Sequence, residues 1–288
     1  MPSFNLHTKY GALNSKPVFE AFETGAKRLG YKVYHNSNKG DVNVIWSICF
    51  SGRMAPNRRI YENFRKPIVV LEVGALRRGE LWKMGVGGIN YGCFYQPADP
   101  NDCKRTNKLG LRLQELTRNE DGPIVIACQN GNSGQWNGGP AEQYTHIKLT
   151  LQTLRKYTDR RIVVREHPRY PLKLKELPHS TSIQKPNRIP NTYDDYDFDI
   201  RNAFAVISHS SNPGTLASIE GVQVYTSNRS LAWPVSQIDL KDIELEPIYY
   251  NRESWLNDIA HTEWTVKEIA TGTPIFLLTD LIEPAIIY

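Results

Sequence analysis

The chain has 288 residues, 40% of them hydrophobic and 23% charged, with a formal net charge of +5 at pH 7. That length suits one large domain or two of ordinary size, and the composition predicts a soluble globular protein. No apolar run reaches membrane-spanning length and the N-terminus lacks a signal-peptide pattern, so no membrane partner is expected.

Four cysteines, Cys49, Cys93, Cys103 and Cys128, show no CxxC spacing. This argues against a structural zinc and for a reduced, cytoplasmic protein. Charge is uneven along the chain. Residues 1–118 hold 19 Lys and Arg against 9 Asp and Glu, whereas residues 119–288 hold 16 against 21. A basic first half predicts an anionic partner on that side, because summed charge attracts polyanions. The polar stretch Thr117–Pro123 reads as a linker. The expected division is therefore 1–118, 119–255, and a C-terminal segment 256–288.

Taken in order, Ser3–His7 reads as a strand. Val18, Phe19, Phe22, Ala26 and Leu29 give 16–29 a helical spacing that Gly30 stops. Strands follow at 31–34, 42–46 and 67–73, with a short basic helix from Asn57 to Phe64. Residues 74–100, rich in Gly and aromatics, read as long loops or a lid. A helix is expected over 109–116. Beyond the linker, 124–128 is a strand, followed by the Gly/Asn-rich loop 129–139 and a helix over 140–157. Residues 161–165 form a strand that runs into Glu166-His167-Pro168-Arg169, and 181–184 a further short one. Helical spacing returns at 255–259 and 265–269, and the apolar tail 275–287 reads as a last helix. Strand–helix alternation of this kind predicts parallel α/β sheets.

The stretch 205–225 carries the most information. Ala205–Ile207 is an apolar strand, Ser208–Asn212 a polar turn, and Pro213 suits the first turn of a helix with Asn212 as its cap. Gly221 suits the helix stop, and 222–225 the next parallel strand. Ser210, Ser211, Asn212, Gly214 and Thr215 would then face one spot at a helix N-terminus, which favours a phosphate. The loop with Gly131, Asn132, Ser133 and Gly134 follows a buried strand and could offer backbone N–H groups to a diphosphate.

This turn resembles the nucleotide-sugar-binding turn in the C-terminal half of GT-B glycosyltransferases, including capsule-polysaccharide-type transferases. The resemblance implies two Rossmann-like parallel-sheet domains facing a cleft, with C-terminal helices crossing back. Many such enzymes carry a Glu inside the helix; Leu216 stands there, and Glu220 is the nearest carboxylate. Arg165, His167 and Arg169 resemble the His-Pro element that meets the donor phosphates and stabilises the departing diphosphate. The resemblance implies a nucleotide sugar as co-substrate, UDP-glucose being the expected donor, with no obligatory metal. The acidic run Asp194–Asp199 contains DxD patterns but precedes a strand, so it reads as a solvated loop.

Sugar transfer with inversion requires a base for the acceptor hydroxyl. Glu72, at the end of the fourth strand, is the first candidate, with His7 and Asp41 as alternatives. Arg53, Arg58, Arg59, Arg77 and Arg78 lie among Trp46, Phe50, Tyr61 and Trp82, a mixture suited to a polyanion with bases to stack or flip. In size and architecture the chain resembles phage DNA glucosyltransferases. That implies double-stranded DNA bearing a hydroxymethylated pyrimidine as acceptor, and a monomeric enzyme in the host cytoplasm. Surface-polysaccharide synthesis and a non-catalytic nucleic-acid-binding module are the alternatives.

Overall fold

A computed structural model of the chain describes residues 2–63, 65–172 and 176–286. In chain order the elements are β1 (Ser3–Leu6), α1 (Lys16–Arg28), β2 (Lys32–His35), β3 (Val42–Trp46), α2 (Asn57–Tyr61), β4 (Ile68–Val73), β5 (Leu81–Val86) and α3 (Lys104–Lys108). Then come β6 (Ile124–Ala127), α4 (Gly139–Leu154), β7 (Ile162–Arg165), β8 (Thr181–Gln184), β9 (Ala205–Ser208), α5 (Asn212–Ile219) and β10 (Val224–Thr226). The chain closes with α6 (Arg252–Ile259), β11 (Glu263–Thr265), α7 (Val266–Thr271), α8 (Thr273–Leu277) and α9 (Thr279–Ile286). The expected ends of α2 at Phe64 and of the tail at Ile287 lie outside the described residues. The chain forms two compact units: residues 1–98 with 258–288, and residues 99–257.

The first unit holds a six-stranded sheet ordered β11-β5-β4-β3-β1-β2. β1 to β4 pair in parallel, and β5 and β11 close one edge in antiparallel register. β3 is buried at every position, and so are the first four residues of β4, as expected of strands covered on both faces. β5 lies inside the segment expected to be a lid. Lys83 and Gly85 interrupt its apolar pattern, yet Leu81 to Gly85 are all buried. β11 precedes the helical spacing expected over 265–269 and overlaps it at Thr265 alone. Thr265 ends that strand and caps α7: its Oγ accepts from Glu268 N–H at 3.1 Å, and Glu268 Oε2 accepts from Thr265 N–H at 2.9 Å. The tail is two short helices rather than one.

The second unit holds a fully parallel sheet ordered β10-β9-β6-β7-β8. Numbered within the unit this is 5-4-1-2-3, with its topological switch between β6 and β9. Ile124, Ile126, Ile147, Leu151, Leu154, Phe204 and Ile207 fill its core. The helix expected over 109–116 is absent: α3 precedes it, and residues 111–119 form neither helix nor strand. Gln114 N–H donates to Ile219 O and Thr117 N–H to Gly221 O, both at 2.9 Å. Gly221 has φ +77°, and a Cβ there would come within 1.9 Å of Glu115 O. Residues 114–117 therefore dock on the end of α5 at Gly221, whose left-handed backbone follows the helix.

Candidate functional site

Ligands of open α/β sheets bind outside the carboxyl ends of the strands, at the switch point. In the second unit that point lies between the loop after β6 and the turn after β9. Gln129 clasps the two. Its Oε1 accepts from Ser210 N–H at 3.2 Å and from Ser210 Oγ at 2.7 Å, while its Nε2 donates to Ser133 Oγ at 3.0 Å. Gln143 Nε2 donates to the Gln129 carbonyl. Ser211 takes the cap position of α5 in place of the expected Asn212, and its Oγ donates to Ala127 O at 3.4 Å. Asn212 is the first helical residue. Gly214 and Thr215 are buried in the first turn, where a Cβ at Gly214 would lie 2.5 Å from Ser208 Oγ.

The loop after β6 is built differently from an amide cradle. The N–H groups of Asn132, Ser133, Gln135, Trp136, Gly138 and Gly139 all bond within the loop or to Glu142. Gly131 packs on the Tyr170 ring, and Gly134 is half-buried between two bonded residues. The loop presents the Trp136 ring instead. His209 stacks on it with centroids 3.9 Å apart and planes 15° from parallel, and His146 packs edge-on to His209 at 5.5 Å. His209 Nε2 donates to Gln135 O at 3.1 Å, which fixes the proton on that nitrogen. Burial holds the His209 imidazole down to about 4, with His146 and Arg229 adding to the shift and the Gln135 carbonyl and Glu142 opposing it. Burial lowers His146 too.

At the end of β7, His167 heads a tight turn in which Tyr170 N–H donates to His167 O at 2.9 Å and Arg169 N–H to His167 Nδ1 at 3.1 Å. Arg165 is buried. It donates to Asp197 O at 2.7 Å and lies 4.7 Å over the Phe198 ring. Arg169 pairs with Asp194. The DxD run is likewise occupied: Asp197 accepts from Asn187 N–H and Nδ2, and Asp199 from Asn202. Glu220 caps the far end of α5 and pairs with Arg201 at 2.7 Å. Eight residues at about 1.5 Å each separate it from the turn by roughly 12 Å, so it is not brought to the site.

In the first unit a polar row crosses the carboxyl edge of the sheet. Ser47 follows β3 with φ +62° and is 3% exposed. Its Oγ donates to Glu72 Oε2 at 2.5 Å and accepts from Cys49 N–H at 2.9 Å. Glu72 is opposite Lys83 on β5, and Lys83 is opposite Glu263 on β11. Lys83 is 3% exposed and Glu263 fully buried. Burial pushes Lys83 down and Glu263 up, while the two charges oppose those shifts in each other. Glu263 also accepts from the N–H groups of Ala75 at 2.5 Å and Leu76 at 3.0 Å, which folds the turn after β4. His7 is buried and bonded to Asn43 at 2.8 Å, and burial lowers it. Asp41 accepts from Ser3 N–H and Oγ before β3, at the opposite edge of the sheet from Glu72.

The predicted arginines occupy two segments of the first unit. Arg53 and Arg59 are exposed; Arg58 reaches Glu62 at 3.6 Å and lies 5.1 Å over the Phe50 ring. Arg77 pairs with Glu80 at 3.8 Å, and Arg78 is half-buried in the turn before β5.

No protein-family model matches the sequence, and no curated protein matches it. Among solved structures, the chain is similar to KpsC of Thermosulfurimonas dismutans, described as a beta Kdo 2,4 transferase. The identity is 13% over 99% of this chain and 98% of that one, with a TM-score of 0.50. The fold is GT-B. A second Thermosulfurimonas dismutans KpsC structure, a beta Kdo 2,7 transferase, gives 14% identity over 97% and 99% of the two chains at a TM-score of 0.46. The dodecameric iron-containing heptosyltransferase TibC, in complex with ADP-D-beta-D-heptose, gives 13% over 99% and 77% at 0.27. Neither of these adds to the fold comparison.

On this GT-B scaffold, no group of three or more His, Cys, Asp or Glu among the described residues could hold a metal ion, and no described helix is long and apolar enough to cross a membrane. Sequence reasoning missed Gln129, Trp136, His146, His209 and Arg229 in the second unit, and Ser47, Lys83 and Glu263 in the first. The strand-end rule was a usable signal for Arg229, which follows β10, a loop the sequence reading left out.

Proposed function

We propose that the protein is a glycosyltransferase that takes a sugar from a nucleotide-sugar donor held by the second unit and passes it to a hydroxyl of a glycan acceptor. One observation carries this reading: a 5-4-1-2-3 parallel sheet whose switch-point loops are clasped by a single glutamine around a helix N-terminus. Ser210, Ser211 and the first turn of α5 are the groups for the donor phosphates, with His167 one strand away. Glu72, aligned by Ser47, is the group for the acceptor proton. UDP-glucose heads the donor panel. The similar KpsC structure is described as a Kdo transferase, which supports a carbohydrate acceptor.

Basic charge is not concentrated in the first unit to the degree the sequence halves imply. The first unit holds 15 Lys and Arg against 11 Asp and Glu, and the second holds 20 against 19. A hydroxymethylated pyrimidine in duplex DNA stays as a second reading on one observation. Arg53, Arg58 and Arg59 share a short segment beside Phe50 and Tyr61, whose rings are 5.5 Å apart.

The experiment is thermal stabilisation of the full chain by UDP-glucose and a panel of nucleoside mono- and diphosphates. A ligand at a hundred times its Kd should add about 2.7 kcal/mol. Absence of stabilisation by every member refutes the donor reading. Duplex DNA is titrated separately at several salt concentrations. Binding whose salt slope flattens by about one unit in each of R53A and R59A selects the DNA acceptor; no binding at low salt selects the glycan.

A further inference from the structure

Arg229 follows β10 and is half-buried. Its guanidinium donates to Gln135 O at 2.8 Å and to Asn137 Oδ1 at 3.0 Å. Both partners are neutral, and among the described residues no carboxylate pairs with it. A partly desolvated cation with only neutral partners is unfavourable until an anion joins it. The other cations expected at the donor phosphates are engaged: Arg165 with Asp197 O and the Phe198 ring, Arg169 with Asp194.

Position gives the anion its class. Ser227, two residues before Arg229, donates to His209 O from both its N–H, at 3.0 Å, and its Oγ, at 2.8 Å. Arg229 N–H in turn donates to Ser227 Oγ at 3.2 Å. The loop after β10 is thus tied to the turn that starts α5. The Gln135 carbonyl receives Arg229 and His209 together, so two groups able to carry positive charge converge at one oxygen. Ser208 is 3% exposed and lies against Gly214 in the first turn of α5, and its buried Oγ has no hydrogen-bond partner among the described residues. A guanidinium, a helix N-terminus and an unsatisfied hydroxyl at one sheet edge match the oxygens of a nucleotide phosphate.

We propose that Arg229, braced by the Gln135 carbonyl beside His209, is the cation that binds the phosphates of the nucleotide donor. This rests on the donor reading above and replaces Arg165 and Arg169 as its charged element. His146 and Glu142 on α4 are the other titratable groups facing His209, and neither forms an ion pair with Arg229.

The test is calorimetric titration of the full chain at pH 7 and low salt with UDP, ADP, GDP and CMP. R229Q keeps a donor for Gln135 O and removes the charge. It is expected to weaken the best ligand roughly ten- to hundredfold while melting like wild type without ligand. R229K keeps the charge and should bind within about tenfold of wild type. R229Q within twofold of wild type overturns the inference and leaves the donor reading standing. Equal loss in R229K and R229Q also overturns it, since the loss would then follow loop geometry rather than charge. If R229Q does not fold, R229K decides: binding within tenfold of wild type supports the inference and a larger loss overturns it. Wild-type protein that binds none of the four ligands overturns donor reading and inference together.

Discussion

His209 makes the second unit sensitive to mild acid. An unfolded histidine titrates near 6.5, whereas burial holds His209 down to about 4 in the folded protein. Between those values the unfolded chain binds the extra proton and the folded state does not. The contribution to stability is therefore intact above 6.5 and is lost as pH falls toward 4. From 6.5 to pH 5 the loss is about 2 kcal/mol at 1.36 kcal/mol per unit. The ring keeps some exposure, and discounting for solvent screening leaves about 1 kcal/mol. For a unit of this size that is roughly 2–4 °C in Tm. His146 shifts in the same direction. Hydrogen bonds from their neighbours hold the carboxylates of Glu23, Asp41, Asp197 and Asp239 below their ordinary values. The assay compares melting at pH 7.5 and pH 5 for wild type and H209Q, whose amide can still donate to Gln135 O. H209Q should lose about 2–4 °C less than wild type on acidification. An unchanged difference between the two pH values would refute the assignment of the shift to burial of His209.

Two further outcomes follow from the first unit. E72Q should keep nucleotide affinity and lower sugar transfer by roughly a hundred- to ten-thousandfold, measured as product formed per enzyme; near-normal turnover would move the proton-accepting role to His7. K83M removes the Lys83 charge opposite the fully buried Glu263 and should cost about 3–5 kcal/mol in urea denaturation, whereas a loss under about 1 kcal/mol would refute the coupling.

Much of the second unit was legible because its strands are short, apolar and covered on both faces. Ala205–Ile207, Pro213 and Gly221 each carry their own local signal, and strand, first turn and stop follow from them. β5 was not legible, because Lys83 in an apolar stretch reads as exposed; the Glu72 and Glu263 charges across the sheet oppose the cost of burying it, and Glu263 is 180 positions away in sequence. The irregular course of 111–119 was hidden for a similar reason. Leu109 to Leu116 have helical spacing, but Gln114 and Thr117 spend their N–H groups on Ile219 and Gly221. The charge halves misled mainly because 258–288, with one Lys against five acidic residues, packs in the first unit, and to a lesser degree because 99–118, with five basic against three acidic, packs in the second.

The Gly/Asn loop after β6 shows why composition located this site without revealing how it works. Glycine and asparagine there suggested free amides for a diphosphate. In the folded loop most of those amides are already bonded, so they cannot meet a ligand without first breaking those bonds. What the loop supplies is the Gln135 carbonyl, turned toward the sheet edge, and the flat face of Trp136. The carbonyl holds Arg229 and His209 in fixed places, and burial keeps His209 uncharged at neutral pH. A nucleotide phosphate arriving there would meet one permanent cation and one neutral imidazole, so only Arg229 brings charge to it above the titration range of His209. A preorganised cation of this kind loses little side-chain freedom on binding, because its rotamer is already set by two hydrogen bonds. The loop's role on this reading is to orient side chains that come from other strands, which no reading of the loop sequence alone contains.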